Sequence, residues 1–136
     1  MLDEGDSTDS SAAAPVSRKA RIVGWMVSFD FSPTGQQYTI REGKTTMGRG
    51  RENDCSLFYD GKASDQHAVI IYRGGVCKIK DNASTHGTYI NGNDVGIGDV
   101  AELKSGDVLT IGDSKFWVVL LDLEKTRAVW PDLGAK

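Results

Sequence analysis

The amino-acid sequence predicts an all-β fold, a β-sandwich of two sheets with about ten or eleven short strands. The first observation is a period-two alternation of apolar and polar residues, which begins at Trp25 and recurs in short segments at regular intervals. The second is the chemistry of the breaks, which are rich in Gly, Asn, Asp and Ser. The third is that no segment of useful length shows a helical period. Many short strands joined by such turns are typical of a sandwich or a barrel.

The strands follow from this alternation in chain order. In the first, residues 25–31, the odd-numbered apolar residues Trp25, Val27, Phe29 and Phe31 alternate with even-numbered residues that include Ser28, a pattern typical of a half-buried strand. Further strands are predicted at residues 37–40, 45–48, 55–58, 68–72, 76–80, 88–90, 100–103, 108–111 and 116–121. The last run is apolar on both faces, which predicts a strand covered from two sides.

The length and composition predict one domain with two tails. A chain of 136 residues is large enough for a single core and small for two. Residues 1–21 form an acidic, Ser-rich segment that we expect to be disordered, because its few apolar residues cannot offset the entropy of ordering it. Residues 22–123 are the predicted folded domain. Residues 124–136 are a C-terminal tail or linker, in which Trp130 and Pro131 either pack on the domain or continue the linker.

Charge and cysteine content exclude several classes of partner. The net charge of -3, from 19 acidic and 16 basic residues, gives no overall positive field for nucleic acid or an anionic membrane. Cys55 and Cys77 lie far apart, without the Cys and His spacing of a zinc site, so we expect no metal and no cofactor. The sequence also shows neither a signal peptide nor an apolar run long enough to span a membrane. We therefore expect a cytoplasmic protein.

Three polar clusters stand at the breaks between predicted strands. They are Gly48-Arg49, then Ser64 three residues before His67, then the run from Asp81 to Gly92 that reads DNASTHGTYING. This order and spacing resemble the forkhead-associated (FHA) domain, a phosphothreonine-binding module with a β-sandwich fold. Residues 103–112, with a Leu, a Gly-Asp turn and alternating apolar residues, are similar to a later part of the same family and extend the resemblance from about residue 25 to about residue 123.

The resemblance implies that Arg49, Ser64 and Thr85 hold the phosphothreonine side chain. A phosphate monoester carries about -1.5 to -2 charges and three acceptor oxygens. Arg49 is suited to it, because a guanidinium binds phosphate with two parallel hydrogen bonds and stays protonated. Ser64 offers a hydroxyl donor, and Thr85 either does the same or supports its loop.

Other positions of the motif are expected to support the binding loops. In the family the residue that matches His67 props the loops by hydrogen bonds, and we favour this role over direct contact with phosphate. Asn91-Gly92 is a strong hairpin signal, and the resemblance also gives the Asn a role in stabilising the loop. The predicted supporting residues are Gly48, His67, Ser84, Gly87, Asn91 and Gly92.

Two positions depart from the common family pattern. His86 stands where an Asn usually bonds the ligand backbone, and its rigid ring offers a donor and an acceptor at different spacing. Asp65 stands where a basic or amide side chain is frequent, and its carboxylate repels phosphate. We expect both residues at the phosphopeptide site, with His86 altering selectivity and Asp65 weakening affinity.

Two functions fit this sequence. The first is a phosphothreonine-dependent module that recruits partners phosphorylated by a Ser/Thr kinase. The second is an FHA-fold scaffold that assembles without phosphate. The chain could also bind its own tail through phosphorylated Thr8, although a solvated linker is the simpler interpretation. A hydrolase triad of Ser64, His67 and Asp81 is rejected, because the spacing is wrong and no nucleophile elbow is present, so the chain is not expected to be an enzyme.

Overall fold

Residues 20–133 are the part of the chain that the structure describes, and in this computed structural model they form eleven strands and one short helix. The strands are β1 (Ile22–Ser28), β2 (Gln36–Arg41), β3 (Gly43–Gly48), β4 (Cys55–Ser56), β5 (Ala68–Arg73), β6 (Val76–Asp81), β7 (Thr88–Ile90), β8 (Asn93–Asp94), β9 (Val100–Glu102), β10 (Val108–Ile111) and β11 (Ser114–Leu120), followed by helix α1 (Leu123–Val129).

The strands form two sheets, which confirms the predicted sandwich. One sheet has five strands in the order β9-β6-β5-β3-β4, and the other has six in the order β2-β1-β11-β10-β7-β8. All pairings are antiparallel except that of β3 with β4. Met26, Phe116 and Val118 of the larger sheet meet Met47 and Ile70 of the smaller one in a single buried cluster. The core between the sheets fixes the positions of the loops at their ends.

Strand β1 buries Val23 at its start, where the register shifts, and the even-numbered side chains Met26 and Ser28 after it. It starts three residues earlier than predicted and ends at Ser28, and its inward face carries Met26 and Ser28, whereas Trp25 and Val27 lie on the outer face. Pairing with β11 explains this, since Met26 stands opposite Val118, a core residue, and cross-strand partners point to the same side. Phe29 and Phe31, predicted to extend the strand, belong to the loop that follows it.

The prediction that β11 is covered from two sides is wrong. Phe116 and Val118 are fully buried, but Trp117 is 59% exposed and Val119 is 41% exposed on the outer face. A run that is apolar at every position has no periodicity to separate an outer face from an inner one. In the described part of the chain, the six-stranded sheet therefore presents apolar side chains to solvent.

Two elements were absent from the sequence prediction. Strand β8 is a two-residue strand in a segment read as a turn, and it pairs with β7 across Asn91-Gly92. Both turn residues have positive φ, 51° for Asn91 and 84° for Gly92, as the tight hairpin predicted at this dipeptide requires. Helix α1 begins at the edge of the predicted C-terminal tail, where the Asp122 side chain caps it by accepting from the Lys125 backbone N–H at 3.0 Å.

No helix within residues 20–133 is long and apolar enough to cross a membrane.

Candidate functional site

Three loops meet at one end of the sandwich. Loop A (residues 49–54) follows β3, loop B (residues 57–67) precedes β5, and loop C (residues 82–87) follows β6. Loops A and B are joined through their backbones, because Arg49 N–H donates to the Ser64 carbonyl at 2.9 Å and Gly50 N–H to that of Asp65 at 3.1 Å. Gly48 permits this approach, since a Cβ there would collide with the Asp65 carbonyl oxygen.

Asn53 strengthens the junction of loops A and B, and sequence reasoning missed it. Its side-chain Nδ2 donates to the carbonyl of Gly50 at 2.8 Å and to that of Asp65 at 2.7 Å, and the residue is nearly buried. One amide group thereby satisfies carbonyls from two loops. The sequence signal for this role was weak, because an Asn four residues after Arg49 in a charged loop is also what an ordinary turn would contain.

Ser64 connects loop B to loop C. Its Oγ accepts a hydrogen bond from the Thr85 N–H at 3.1 Å, so the hydroxyl hydrogen remains available to a further acceptor. The Thr85 side chain and the neighbouring His86 are exposed at the tip of loop C. The structure thus brings together Arg49, Ser64, Asp65 and Thr85, and we call these four residues the polar cradle.

His67 lies beneath the polar cradle and links two of its loops. The residue is fully buried, its Nδ1 accepts from the Ser64 N–H at 3.0 Å, and its Nε2 lies 2.8 Å from the Gly87 carbonyl. Because Nδ1 is an acceptor, Nε2 carries the hydrogen and donates it to Gly87, which assigns a neutral ring. Gly87 itself has a φ of 91°, a conformation that favours glycine.

Asp81 holds loop C from below. Its buried carboxylate accepts from the Ser84 hydroxyl at 2.5 Å, the Thr88 hydroxyl at 2.7 Å, and the backbone N–H groups of Ser84 at 3.1 Å and Gly98 at 3.2 Å. Burial raises the pKa of this carboxyl, but the hydrogen bonds to the ionised form outweigh burial and leave the pKa below its ordinary value.

The bonds around Asp81 and His67 also show that Ser64, His67 and Asp81 do not form a triad. The imidazole bonds a backbone N–H of Ser64 rather than the hydroxyl, and its other nitrogen bonds Gly87 rather than Asp81. Ser84, a predicted supporting residue, takes part in the Asp81 network. It extends the network to Gly87, because its Oγ also accepts from the Gly87 N–H at 3.0 Å. Sequence reasoning had considered Asp81 only as a triad member.

The guanidinium of Arg49 faces solvent beside an acid. Its side chain is 45% exposed, with Nε 3.4 Å from Oδ1 of Asp65 and Nη1 3.4 Å from the Gly61 carbonyl. The Asp65 side chain is 74% exposed, so water screens this ion pair and its strength is small. A guanidinium on loops that also carry the Ser64 and Thr85 hydroxyls can bind the oxygens of an anion, and the Asp65 carboxylate competes for that guanidinium.

Asn91 and Gly92 support the β7–β8 hairpin and do not belong to the polar cradle. The Asn91 Nδ2 donates to Oδ1 of Asp107 at 3.0 Å, and its Oδ1 accepts from the Val108 N–H at 2.9 Å. These bonds fasten the β7–β8 hairpin to β10, the neighbouring strand of the same sheet. Asn91 therefore acts on the position of loop C through β7.

The architecture and the loops define a class, the β-sandwich whose strand-connecting loops gather an Arg, a Ser and a Thr at one end. A family model described as the FHA domain matches residues 45–112, half of the chain. The chain belongs to the FHA domain family.

Individual relatives share this region. The chain is 39% identical over 71 residues, 52% of its length, to the ABC transporter ATP-binding/permease protein Rv1747 of Mycobacterium tuberculosis. It is 34% identical over 85 residues, 62% of its length, to the FHA domain-containing protein FhaA of the same organism. These matches span only 8% and 15% of the two relatives' own lengths.

A solved FHA domain has the same fold. It comes from a structural and functional analysis of phosphothreonine-dependent FHA domain interactions, and it is 31% identical to this chain with a TM-score of 0.66. The match covers 74% of this chain and 98% of that one.

Proposed function

We propose that this domain binds a phosphothreonine side chain in a partner protein and so recruits partners that a Ser/Thr kinase has modified. The observation that carries the proposal is the polar cradle, where hydrogen bonds from the Arg49 and Thr85 backbone N–H groups to Ser64 join the three loops that carry these residues. The interactions of a similar solved FHA domain are phosphothreonine-dependent. FHA domains are protein-interaction modules, and we propose no catalytic step for this chain.

Each residue of the polar cradle has a distinct role in this proposal. Arg49 binds two phosphate oxygens through its charged fork, and the Ser64 hydroxyl donates to a third while its oxygen keeps the bond from Thr85 N–H. The Thr85 hydroxyl and the exposed His86 ring contact the phosphate or the adjoining peptide backbone. Gly48, His67, Ser84, Gly87, Asn91 and Gly92 hold the loops in place. Two unpaired cysteines agree with a cytoplasmic setting.

Calorimetry with degenerate peptide pools tests the proposal. Wild-type protein should bind a phosphothreonine pool with micromolar affinity and should bind phosphoserine and unphosphorylated pools much more weakly. Arg49→Ala should lose about a hundredfold in affinity, because charge-assisted bonds contribute roughly 1.5–3 kcal/mol. Arg73→Ala is the matched control, since Arg73 is exposed at the far end of β5. Equal binding of phosphorylated and unphosphorylated pools, or an Arg49→Ala variant that binds normally, would support the phosphate-independent scaffold instead.

The chain's own Thr8 is a second proposed ligand. Thr8 lies outside the described residues, and the described chain begins at Ala20, whose carbonyl accepts from Arg41 at 2.8 Å at the start of β1. Thr8 and Ala20 are twelve positions apart, and this stretch can span about 40 Å, whereas the seven residues of β1 cover about 23 Å towards the binding loops. Reach therefore permits self-binding. Phosphorylation of Thr8 should shift the amide resonances of loops A to C in a concentration-independent way, and unchanged resonances would rule this ligand out.

A further inference from the structure

The two outer faces of the sandwich differ in charge. On the five-stranded sheet, the strand register places charged side chains across the outer face. One row across this face consists of Lys44, Ile71, Lys78 and Glu102. An antiparallel sheet with one face in water normally carries such polar residues there. The five-stranded sheet therefore has the outer face of a solvated surface.

The six-stranded sheet carries no charged residue at the centre of its described outer face. Two rows of side chains cross its strands there, and all of them are apolar or uncharged. One row consists of Gln37, Val27, Trp117 and Val108, and the other of Thr39, Trp25 and Val119. We call Trp25, Val27, Val108, Trp117 and Val119 the apolar face. The next row contains Lys115 opposite Thr110, so the apolar centre has a polar rim, as protein interfaces have.

The apolar face has a projection and a cleft side by side. Trp117, which is 59% exposed, projects from it. Next to this ring lies a cleft of about 340 Å³, lined by Val27, Phe29 and Val108 as well as by Trp117 itself. A two-fold dimer uses the same surface on both copies, so each projection has to meet a recess of that same surface. The apolar face satisfies this condition, because it offers both a ring to insert and a cleft to receive one.

The exposed apolar area is sufficient for a dimer. Trp117 and Phe29, which is 64% exposed, leave about 130–150 Å² each in water, since large aromatic side chains have about 150–250 Å². Trp25 and the valines bring the apolar area to about 400 Å². Two copies then bury about 800 Å² of apolar surface, and since apolar atoms form about 65% of a homodimer interface, the total is about 1,200 Å². This total lies at the lower limit of specific interfaces, which predicts a reversible dimer.

The remaining residues of the chain are poorly suited to cover the apolar face. Residues 1–19 and 134–136 lie outside the described part. Their apolar side chains larger than Ala are Met1, Leu2, Pro15 and Val16, in two groups separated by an acidic, Ser-rich stretch. A second copy, in contrast, brings two tryptophans and three valines on a sheet of the same twist, and sheets of the same twist stack well face to face.

We infer that two copies of this chain associate through the apolar face about a two-fold axis, with Trp117 of each copy in the cleft of the other. This interaction goes beyond the proposed function and needs no phosphate. The apolar face lies on β1, β10 and β11, none of which carries a residue of the polar cradle. The dimer therefore presents two open cradles, and a partner with two suitably spaced phosphothreonines gains avidity from both.

Sedimentation velocity of the unphosphorylated full chain, from about 1 to 500 µM, tests this inference. We expect the mass of wild-type protein to rise from 14.7 kDa towards twice that value, with a dissociation constant of about 10 µM. Val119→Asp should weaken the dimer at least tenfold, because it buries an unpaired charge in the interface. Val76→Asp is the matched control and should dimerise normally, since Val76 is also 41% exposed but lies on the five-stranded sheet. Trp117→Ala, which removes the inserted ring, serves as the second variant if Val119→Asp unfolds.

The possible results separate this inference from the proposed function. Wild-type protein that stays monomeric at 500 µM overturns the dimer, and so does a dimer that persists in both Val119→Asp and Trp117→Ala. Loss of the dimer in Val76→Asp alone overturns it as well, because the contact then lies on the five-stranded sheet. The phosphothreonine proposal stands in each of these cases if Arg49-dependent peptide binding is observed. A dimer that breaks in the apolar-face variants supports the inference whether or not the protein binds phosphothreonine.

Discussion

At the scale of single residues, we expect the contact between Arg49 and Asp65 to determine how well the polar cradle accepts an anion. The carboxylate holds the Nε side of the guanidinium at 3.4 Å, and an incoming phosphate has to displace it or share the fork with it. The Asp65 side chain is not needed for the loop geometry, because the Asp65 backbone carbonyl joins loops A and B. We therefore expect the Asp65 side chain to lower affinity for an anion without stabilising the loops.

Replacing this acid should strengthen binding. Two unit charges about 4 Å apart in water interact by about 1 kcal/mol, so Asp65→Asn should bind a phosphothreonine peptide about fivefold more tightly at low salt. The gain should shrink as ionic strength rises, because the charges are exposed and screened. Calorimetry at two salt concentrations measures both effects. Glu124→Gln, which removes an exposed acid from helix α1, is the control for net charge and should change nothing. Weaker binding by Asp65→Asn would mean that the carboxylate contacts the ligand favourably.

At the scale of structural elements, loop C depends on the buried carboxylate of Asp81. Four donors from loop C, β7 and the Gly98 region converge on it, and they hold the pKa of Asp81 below that of an ordinary carboxyl. A group whose pKa is lower in the folded state stabilises the fold above its unfolded-state pKa, about 3.9, and that contribution disappears as the pH falls through the folded value. Loop C should therefore loosen in acid.

The Asp81→Asn variant makes this dependence measurable. At pH 7 it should lose about 1–3 kcal/mol of unfolding free energy, since an amide cannot accept from all four donors. The difference from wild type should decrease as the pH falls from about 5 to below about 3.9, because the wild-type carboxylate becomes protonated there. Urea unfolding at pH 7, 5 and 3 tests this, with Glu102→Gln as an exposed control on β9. A stability difference that does not vary with pH would show that the Asp81 charge is unimportant.

The sequence predicts the limits of a strand well where turn residues bound it, and it predicts the buried face poorly where a run is apolar throughout. Strands β5, β6, β7 and β10 appear close to their predicted limits because turn residues bound each of them. Residues 116–120 of β11 are all apolar, so the pattern could not assign the exposed face of this strand. The buried face of β1 depends on pairing with β11, which periodicity does not report. Helix α1 is seven residues long and buries none of them, which leaves no helical period to detect.

At the scale of the whole molecule, the sandwich brings polar residues from distant segments together. Arg49 and Ser64 are fifteen positions apart, and Thr85 follows Ser64 by twenty-one, yet hydrogen bonds connect their loops directly. Motif order in the sequence indicated this grouping. It did not indicate Asn53, which bridges loops A and B, or the Asp81 network, because such bonds join segments whose proximity arises only in the folded chain. The residues of the polar cradle were thus easier to group from the sequence than Asn53 and Asp81, which hold their loops.

The most direct test of the account is amide chemical-shift mapping with a phosphothreonine peptide on ¹⁵N-labelled protein. We expect shifts concentrated at Gly50, Ser64, Asp65 and Thr85, little change on the outer sheet face around Trp117, and almost no shifts in Arg49→Ala with its fold intact. Such a result would locate phosphate binding at the polar cradle. Shifts centred on the outer face, or the same shifts with unphosphorylated peptide, would contradict the account.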